Sequence, residues 1–202
     1  METALNIFGY NVTYLELIGS VFNFVSVILA TRANWENWIS SIVGQICFFF
    51  LFWNNGLYAN ALLQVYFTYV CLVSIFWWKK TDKDADKGLR WMTNKQRLIW
   101  SVITIFSIFI IYLVVQRIMP VNRLSTNLFL DVVVTVLSVV GVNLLSLKYI
   151  ESWVIWLISD IVGVFLFGFT GIYFVSIEYV FITGIAIYGF INWINIKQKI
   201  KL

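Results

Sequence analysis

Asp160 stands in the middle of a run, ESWVIWLISDIVGVFLF at 151–167, that is otherwise almost wholly apolar. A carboxylate in such a run is costly in hydrocarbon and persists where it faces a bundle interior or an aqueous path. Trp156 and Trp153 precede it at helical spacing, so the three side chains share one face. An acid beside an indole can hold a solute: the ring stacks on a flat heterocycle, and the carboxylate accepts hydrogen bonds from hydroxyls or balances a cationic ring. Trp38, Ser41 and Gln45 occupy the equivalent points of an earlier helix. Glu16, Ser20 and Asn23 follow i, i+4, i+7, and Asp131, Thr135 and Ser138 repeat that geometry. Asn60, Gln64 and Thr68 are each four apart, and Glu178 and Tyr179 are embedded in the last apolar run. The candidates for contacting a solute are therefore Asn23, Gln45, Asn60, Gln64, Trp156, Asp160, Glu178 and Tyr179. Glu16, Trp38, Asp131 and Trp153 are candidates for gating or structural roles.

The plainer roles of such residues are also defined. Hydroxyls and amides in membrane helices bond neighbouring helices at about 0.6 kcal/mol on average. Glu16 and Asp131 sit within a turn of a span's start, where an acid favours the helix N-terminus. Tryptophans at span ends, such as Trp35, Trp77, Trp78 and Trp193, suit the membrane interface.

Composition narrows the function. The chain is 61% hydrophobic and 12% charged, with a mean hydropathy of +0.86, far from the charge fraction a soluble surface needs. It contains no histidine, and Cys47 and Cys71 lie in apolar runs without forming a CxxC pair. Imidazole catalysis, histidine-ligated metal and a thiol redox pair are excluded, and no metal or cofactor is expected. No GxxxxGK[ST] phosphate loop occurs, so nothing points to ATP coupling. The opening METALNIFGYNV carries no Lys or Arg, unlike the basic start of a cleaved signal peptide, so the first helix is expected to stay.

A span needs roughly 20 apolar residues. Seven windows satisfy this: 13–31, 36–53, 57–78, 98–116, 127–147, 152–169 and 172–193. The chain also repeats itself. Glu16 pairs with Asp131, Ser20 with Thr135, Asn23 with Ser138, Glu36 with Glu151, Trp38 with Trp153, Thr68 with Thr183 and Trp78 with Trp193, all 115 positions apart and without a gap. Gly56 and Gly171, at the same offset, mark tight hairpins. The expected fold is an all-α integral membrane protein of seven transmembrane helices, with two parallel three-helix repeats joined by a linker helix. Its parts are 13–78, the first repeat; 79–126, a cytoplasmic loop, linker helix and outer loop holding Pro120; 127–193, the second repeat; and 194–202, a basic tail. Each repeat is expected to turn its polar and aromatic stripe to a shared centre.

Of the 14 Lys and Arg, all but Arg117 and Arg123 fall on one side of this arrangement. That bias places the C-terminus in the cytoplasm and the N-terminus outside. The loop KKTDKDADKGLRWMTNKQR mixes both signs and reads as a solvated cytoplasmic connector, with no nucleic acid as partner.

LYANALLQV at 57–65 resembles LYADALLQV of the PnuC family of vitamin transporters, and ESWVIWLISDIVGV at 151–164 resembles that family's ENWLLWIVVDVVSV. LELIGS at 15–20 and LDVVVTVLS at 130–138 are similar to its acid-bearing openings. The resemblance covers 13–193. It implies a full-length SWEET-like fold, a homotrimer in the bacterial inner membrane, and facilitated diffusion of a nucleoside-like vitamin trapped by cytoplasmic phosphorylation. It also implies substrate contact by Gln64, Trp156 and Asp160. Similar members carry nicotinamide riboside, thiamine, riboflavin or deoxynucleosides, with nicotinamide riboside the expectation here. The chain departs from the family pattern at Asn60, Gly44, Gln45, Glu178 and VSIFWW (73–78), and these departures bear on the choice of substrate rather than the class. Two other classes compete: a substrate-binding membrane subunit of a separately energised complex, and a membrane enzyme, for which no nucleophile and base pair is visible.

Overall fold

A computed structural model gives the architecture; it describes residues 3–7, 10–54, 58–84, 87–118, 127–169 and 173–199. The turns expected at Gly56 and Gly171, and Pro120, lie outside the described residues. The chain forms two units, Met1–Gly88 and Leu89–Leu202.

The first unit opens on strands β1 (Thr3–Ile7) and β2 (Tyr10–Thr13), an antiparallel pair with Leu5 opposite Val12 and Ile7 opposite Tyr10. This short pair precedes the helices and was not expected; the remaining elements of the described chain are helices, as expected. β2 runs directly into helix α1 (Tyr14–Thr31), whose start is capped by Thr13: its Oγ1 accepts the Glu16 backbone N–H at 3.2 Å, satisfying a donor that the helix cannot. Helices α2 (Glu36–Asn54) and α3 (Tyr58–Thr81) follow, α2 packing against both neighbours. At the α1/α2 contact a Cβ on Gly44 would lie 3.3 Å from the Gly19 carbonyl oxygen, and Ser40 Oγ donates to the Phe22 carbonyl at 2.7 Å. Small residues let these backbones approach.

The second unit holds α4 (Asn94–Ile118), α5 (Leu128–Ser146), α6 (Ser152–Phe169) and α7 (Tyr173–Gln198), with α4 on α5, α5 on α6 and α6 on α7. Val132, Val136, Val140 and Leu144, each four apart, put one face of α5 into a core with Met92 and Tyr149, against which Trp100, Ile108 and Tyr112 of α4 pack. Thr104 is the buried residue of α4, whose other faces expose Leu98, Val102, Ile105, Phe106 and Phe109. A helix apolar all round suits hydrocarbon as its solvent.

The two units use the same local geometry at the offset of 115. Ala33 and Lys148 both take left-handed backbone, φ 50° and 59°, just beyond the ends of α1 and α5. Their amides donate to Ala30 and Leu145, each at 2.9 Å, and the next amides, of Asn34 and Tyr149, donate to Leu29 and Leu144 at 3.2 and 3.0 Å. Non-glycine residues pay strain at such φ values, and here both are held by bonds that close the helix end. Trp38 stands edge-on to Trp78, with centroids 5.2 Å apart at 90°; Trp153 meets Trp193 at 5.5 Å and 89°. Thr68 Oγ1 donates to the Gln64 carbonyl and Thr183 Oγ1 to that of Tyr179, both at 2.8 Å.

Among the described residues six helices are long and apolar enough to cross a membrane: 14–31, 61–81, 94–118, 128–146, 152–169 and 176–198. The seventh, α2, is not among them because Glu36, Asn37, Ser40, Ser41, Gln45 and Asn54 lower its hydropathy. Helices α3, α4 and α7 also run beyond the expected spans. Lys79 and Lys80 end α3 and Lys197 ends α7, where a cation complements the helix C-terminus.

Candidate functional site

In the first unit the α1/α2 contact brings two of the candidates close together. A Cβ on Gly44 would lie 3.6 Å from the Asn23 backbone nitrogen, so Asn23 and the Gly44–Gln45 step adjoin. Both candidate side chains are half-buried, and Gln45 Nε2 donates to Ser41 Oγ at 3.4 Å, one turn back. Gln64 is buried on α3. The Asn60 backbone belongs to α3, but its side chain lies outside the described residues.

In the second unit α6 carries the acid. Asp160 is 3% exposed, and Trp156 sits one turn before it on the same face. The Trp156 Nε1 and Asp160 Oδ2 atoms are both buried without a hydrogen-bond partner. The salt bridges among the described residues are Lys87 with Asp82 and Arg97 with Glu151, so neither meets Asp160. Buried polar groups are ordinarily bonded, and a buried carboxylate oxygen and indole N–H left open one turn apart are groups that a solute can satisfy. The Trp156 indole rests on Gly141 of α5. One turn beyond Asp160, Gly163 receives the ring of Tyr179 from α7, which also lies 5.3 Å from the Phe167 ring at 37°.

Hydrogen bonds fix these helices. Ser138 and Ser159 hydroxyls meet at 3.5 Å between α5 and α6, and Ser176 Oγ donates to the Val164 carbonyl at 2.8 Å between α7 and α6. The start of α6 is held by Glu151, which accepts from the Met92 backbone N–H at 3.1 Å and from Arg97 Nε at 2.9 Å. Arg90 Nε donates to the Leu147 carbonyl at 3.0 Å, and its guanidinium lies over the Tyr149 ring.

The structure thus groups Trp156, Asp160 and Tyr179 in one unit, and Asn23 with Gln45 in the other. Glu178, next to Tyr179, is half-buried. Trp38 and Trp153, each 2% exposed, are committed to their edge-on tryptophan partners. Glu16 lies in the first turn of α1, and Asp131, exposed, in the first turn of α5. Gly141, Gly163 and Ser159 are the residues that sequence reasoning missed. Comparing side-chain sizes across the offset of 115 would have found the two glycines.

The site can therefore clasp a flat ring and a hydrogen-bonding partner with one acidic group at hand. The sequence model of the nicotinamide mononucleotide transporter family matches residues 13–195. The nicotinamide riboside transporter PnuC of Escherichia coli (strain K12) is 26% identical over 213 residues, which cover 95% of this chain and 89% of that protein. Its counterpart in Haemophilus influenzae is 23% identical over 194 residues, covering 93% and 82%. A crystal structure of the vitamin B3 transporter PnuC matches with a TM-score of 0.74 at 19% identity, over 92% of this chain and 83% of that one.

Proposed function

The chain belongs to the nicotinamide mononucleotide transporter family, and from that premise we propose that it carries nicotinamide riboside across the membrane by facilitated diffusion. It is a multi-pass membrane transporter and not an enzyme. The observation that carries the choice of substrate is the open pair on α6, Trp156 Nε1 and Asp160 Oδ2, buried and unpartnered one turn apart. Nicotinamide riboside presents a flat cationic pyridinium and ribose hydroxyls. The ring stacks on the indole, and the acid faces either the charge or the hydroxyls. The relatives' named substrate supports the same reading.

The finer arrangement is also proposed. The repeats at an offset of 115 are two parallel three-helix sets, with α2 as a seventh span and α4 as the linker, in a SWEET-like plan; the distribution of basic residues supports an outer N-terminus and a cytoplasmic C-terminus. The resemblance supports a homotrimer in a bacterial inner membrane and trapping of the solute by cytoplasmic phosphorylation. Within the first unit, Gln64 of α3 and the Asn23 and Gln45 amides are further candidates for contacting a solute.

Uptake of radiolabelled nicotinamide riboside into proteoliposomes holding only the purified chain tests the proposal. Saturable uptake that stops at equal concentrations inside and out is expected. No uptake without added proteins would favour a subunit of an energised complex instead.

A further inference from the structure

Two aromatic rings flank Asp160, and each rests on a glycine. A Cβ built on Gly141 would lie 3.0, 3.2 and 3.2 Å from Cε2, Cδ2 and Nε1 of Trp156, and one built on Gly163 would overlap the Tyr179 ring. Gly141 sits inside α5, where glycine costs about 1 kcal/mol against alanine in helix propensity. Its lack of a side chain therefore calls for a reason. One reason for glycine in a membrane helix is close approach of two backbones, and Gly44 has it: the atoms nearest its Cβ are backbone atoms of Gly19 and Asn23. At Gly141 all three nearest atoms belong to one indole.

The first repeat makes the opposite choice. At 115 positions earlier, Gly141 is Ser26 and Trp156 is Ser41; Gly163 is Phe48 and Tyr179 is Gln64. Where the repeat carries the ring the facing position is empty, and where that position is filled the ring is replaced by a slimmer side chain. The exchange is complementary in volume, as tightly packed interiors demand.

We infer that Gly141 is a positioning residue: it sets the height and tilt of the Trp156 indole, and with them the stacking plane and the direction of Nε1–H beside Asp160, so that it governs which flat rings the site accepts. The inference rests on the transporter reading above. A methyl group at 141 would stand 3.0–3.2 Å from the indole, closer than ordinary contact, so the ring must shift away from α5 by a few tenths of an ångström unless the α5 backbone moves instead.

Calorimetry on the full-length protein in detergent, with nicotinamide riboside as ligand, tests this. Wild-type protein that binds neither this ligand nor thiamine nor a deoxynucleoside would overturn the transporter reading itself. Given wild-type binding, Gly141→Ala is expected to weaken it by about tenfold or more, the scale set by misplacing a contact by a fraction of an ångström. Gly184→Ala, whose Cβ meets nothing within 4 Å, should bind as wild type. With 5-fluorotryptophan incorporated, the ¹⁹F line that vanishes in Trp156→Phe should stand at a different position in Gly141→Ala, which general destabilisation would not cause. An unchanged affinity or an unmoved line overturns the inference. If Gly141→Ala does not fold, the pair Gly141→Ser with Trp156→Ser, copied from the first repeat, should restore folding; failure of that double variant to fold would equally overturn it.

Discussion

Trp153 stands edge-on to Trp193 with centroids 5.5 Å apart, and the far edge of its ring lies over Gly189, where a Cβ would come within 2.6 Å of Cη2. The pair ties the start of α6 to the end of α7, and such pairs contribute about 0.5–1.5 kcal/mol beyond their buried area. Gly189→Ala should therefore destabilise the protein by about 1–3 kcal/mol, the usual cost of overpacking. Thermal unfolding in detergent would show this as a lowered midpoint relative to Gly184→Ala; equal midpoints would mean that the ring has room to move.

Glu151 is a second anchor of the same helix. Its carboxylate meets the Met92 amide and the Arg97 guanidinium, and its side chain is 16% exposed against 49% for Arg97. The bond to a part-buried amide outweighs the exposed half of the ion pair. Glu151→Ala should cost about 1–2 kcal/mol and speed tryptic cleavage near Arg90. Asp160 lies nine residues further on, about 13 Å along the axis, so affinity should hold; a large loss of affinity with intact stability would instead give Glu151 a direct role at the site.

The helices and the repeat were legible because apolar runs and a gapless offset are properties of the chain itself. Six spans match the expectation. The second expected span is present as helix α2, and its hydropathy is lowered by its own Glu36, Asn37 and Gln45, which a repeat alignment passes over and a hydropathy window counts. The strands at residues 3–13 escaped because a pair of four- and five-residue strands leaves little periodicity. Trp38 and Trp153 are candidates for gating or structural roles, and the sequence could not show which rings they meet, because their edge-on partners lie 40 residues along the chain. A glycine in an apolar helix gives no signal of what rests on it; only the size mismatch across the offset of 115, with Ser26 for Gly141 and Phe48 for Gly163, marks these two in the sequence.

Topology is open to a direct test. With Lys79, Lys80, Lys197 and Lys199 at the ends of α3 and α7, the positive-inside rule predicts a cytoplasmic C-terminus. Alkaline phosphatase fused after Leu202 should be inactive and a fluorescent protein at the same point bright. An active phosphatase fusion would invert the topology and remove the argument for parallel repeats.

Gln64 is buried on α3, and its carbonyl already serves Thr68, so the backbone there does not depend on the side-chain amide. Gln64→Ala should abolish measurable binding while the protein stays monodisperse with a near-normal unfolding midpoint. Loss of folding with the residual folded fraction binding normally would assign the amide to helix packing.

On the proposed reading, Asp160 sets what kind of ring the site prefers. Its Oδ2 is buried without a partner, and none of the salt bridges among the described residues reaches it; a buried carboxylate in that position is stabilised by a cation brought to it. A pyridinium or thiazolium substrate supplies that charge. Asp160→Asn keeps the shape and an acceptor oxygen but removes the charge, so it should weaken nicotinamide riboside and thiamine by about 1–3 kcal/mol, the size of one charge-assisted contact, and leave neutral deoxynucleosides nearly unaffected. If the carboxyl instead only bonds ribose or a base edge, asparagine will substitute for it with every ligand. Calorimetry of wild type and Asp160→Asn against the three ligands separates these outcomes: a selective loss for the cationic rings supports the vitamin substrate, and equal tolerance would move the assignment to a neutral nucleoside.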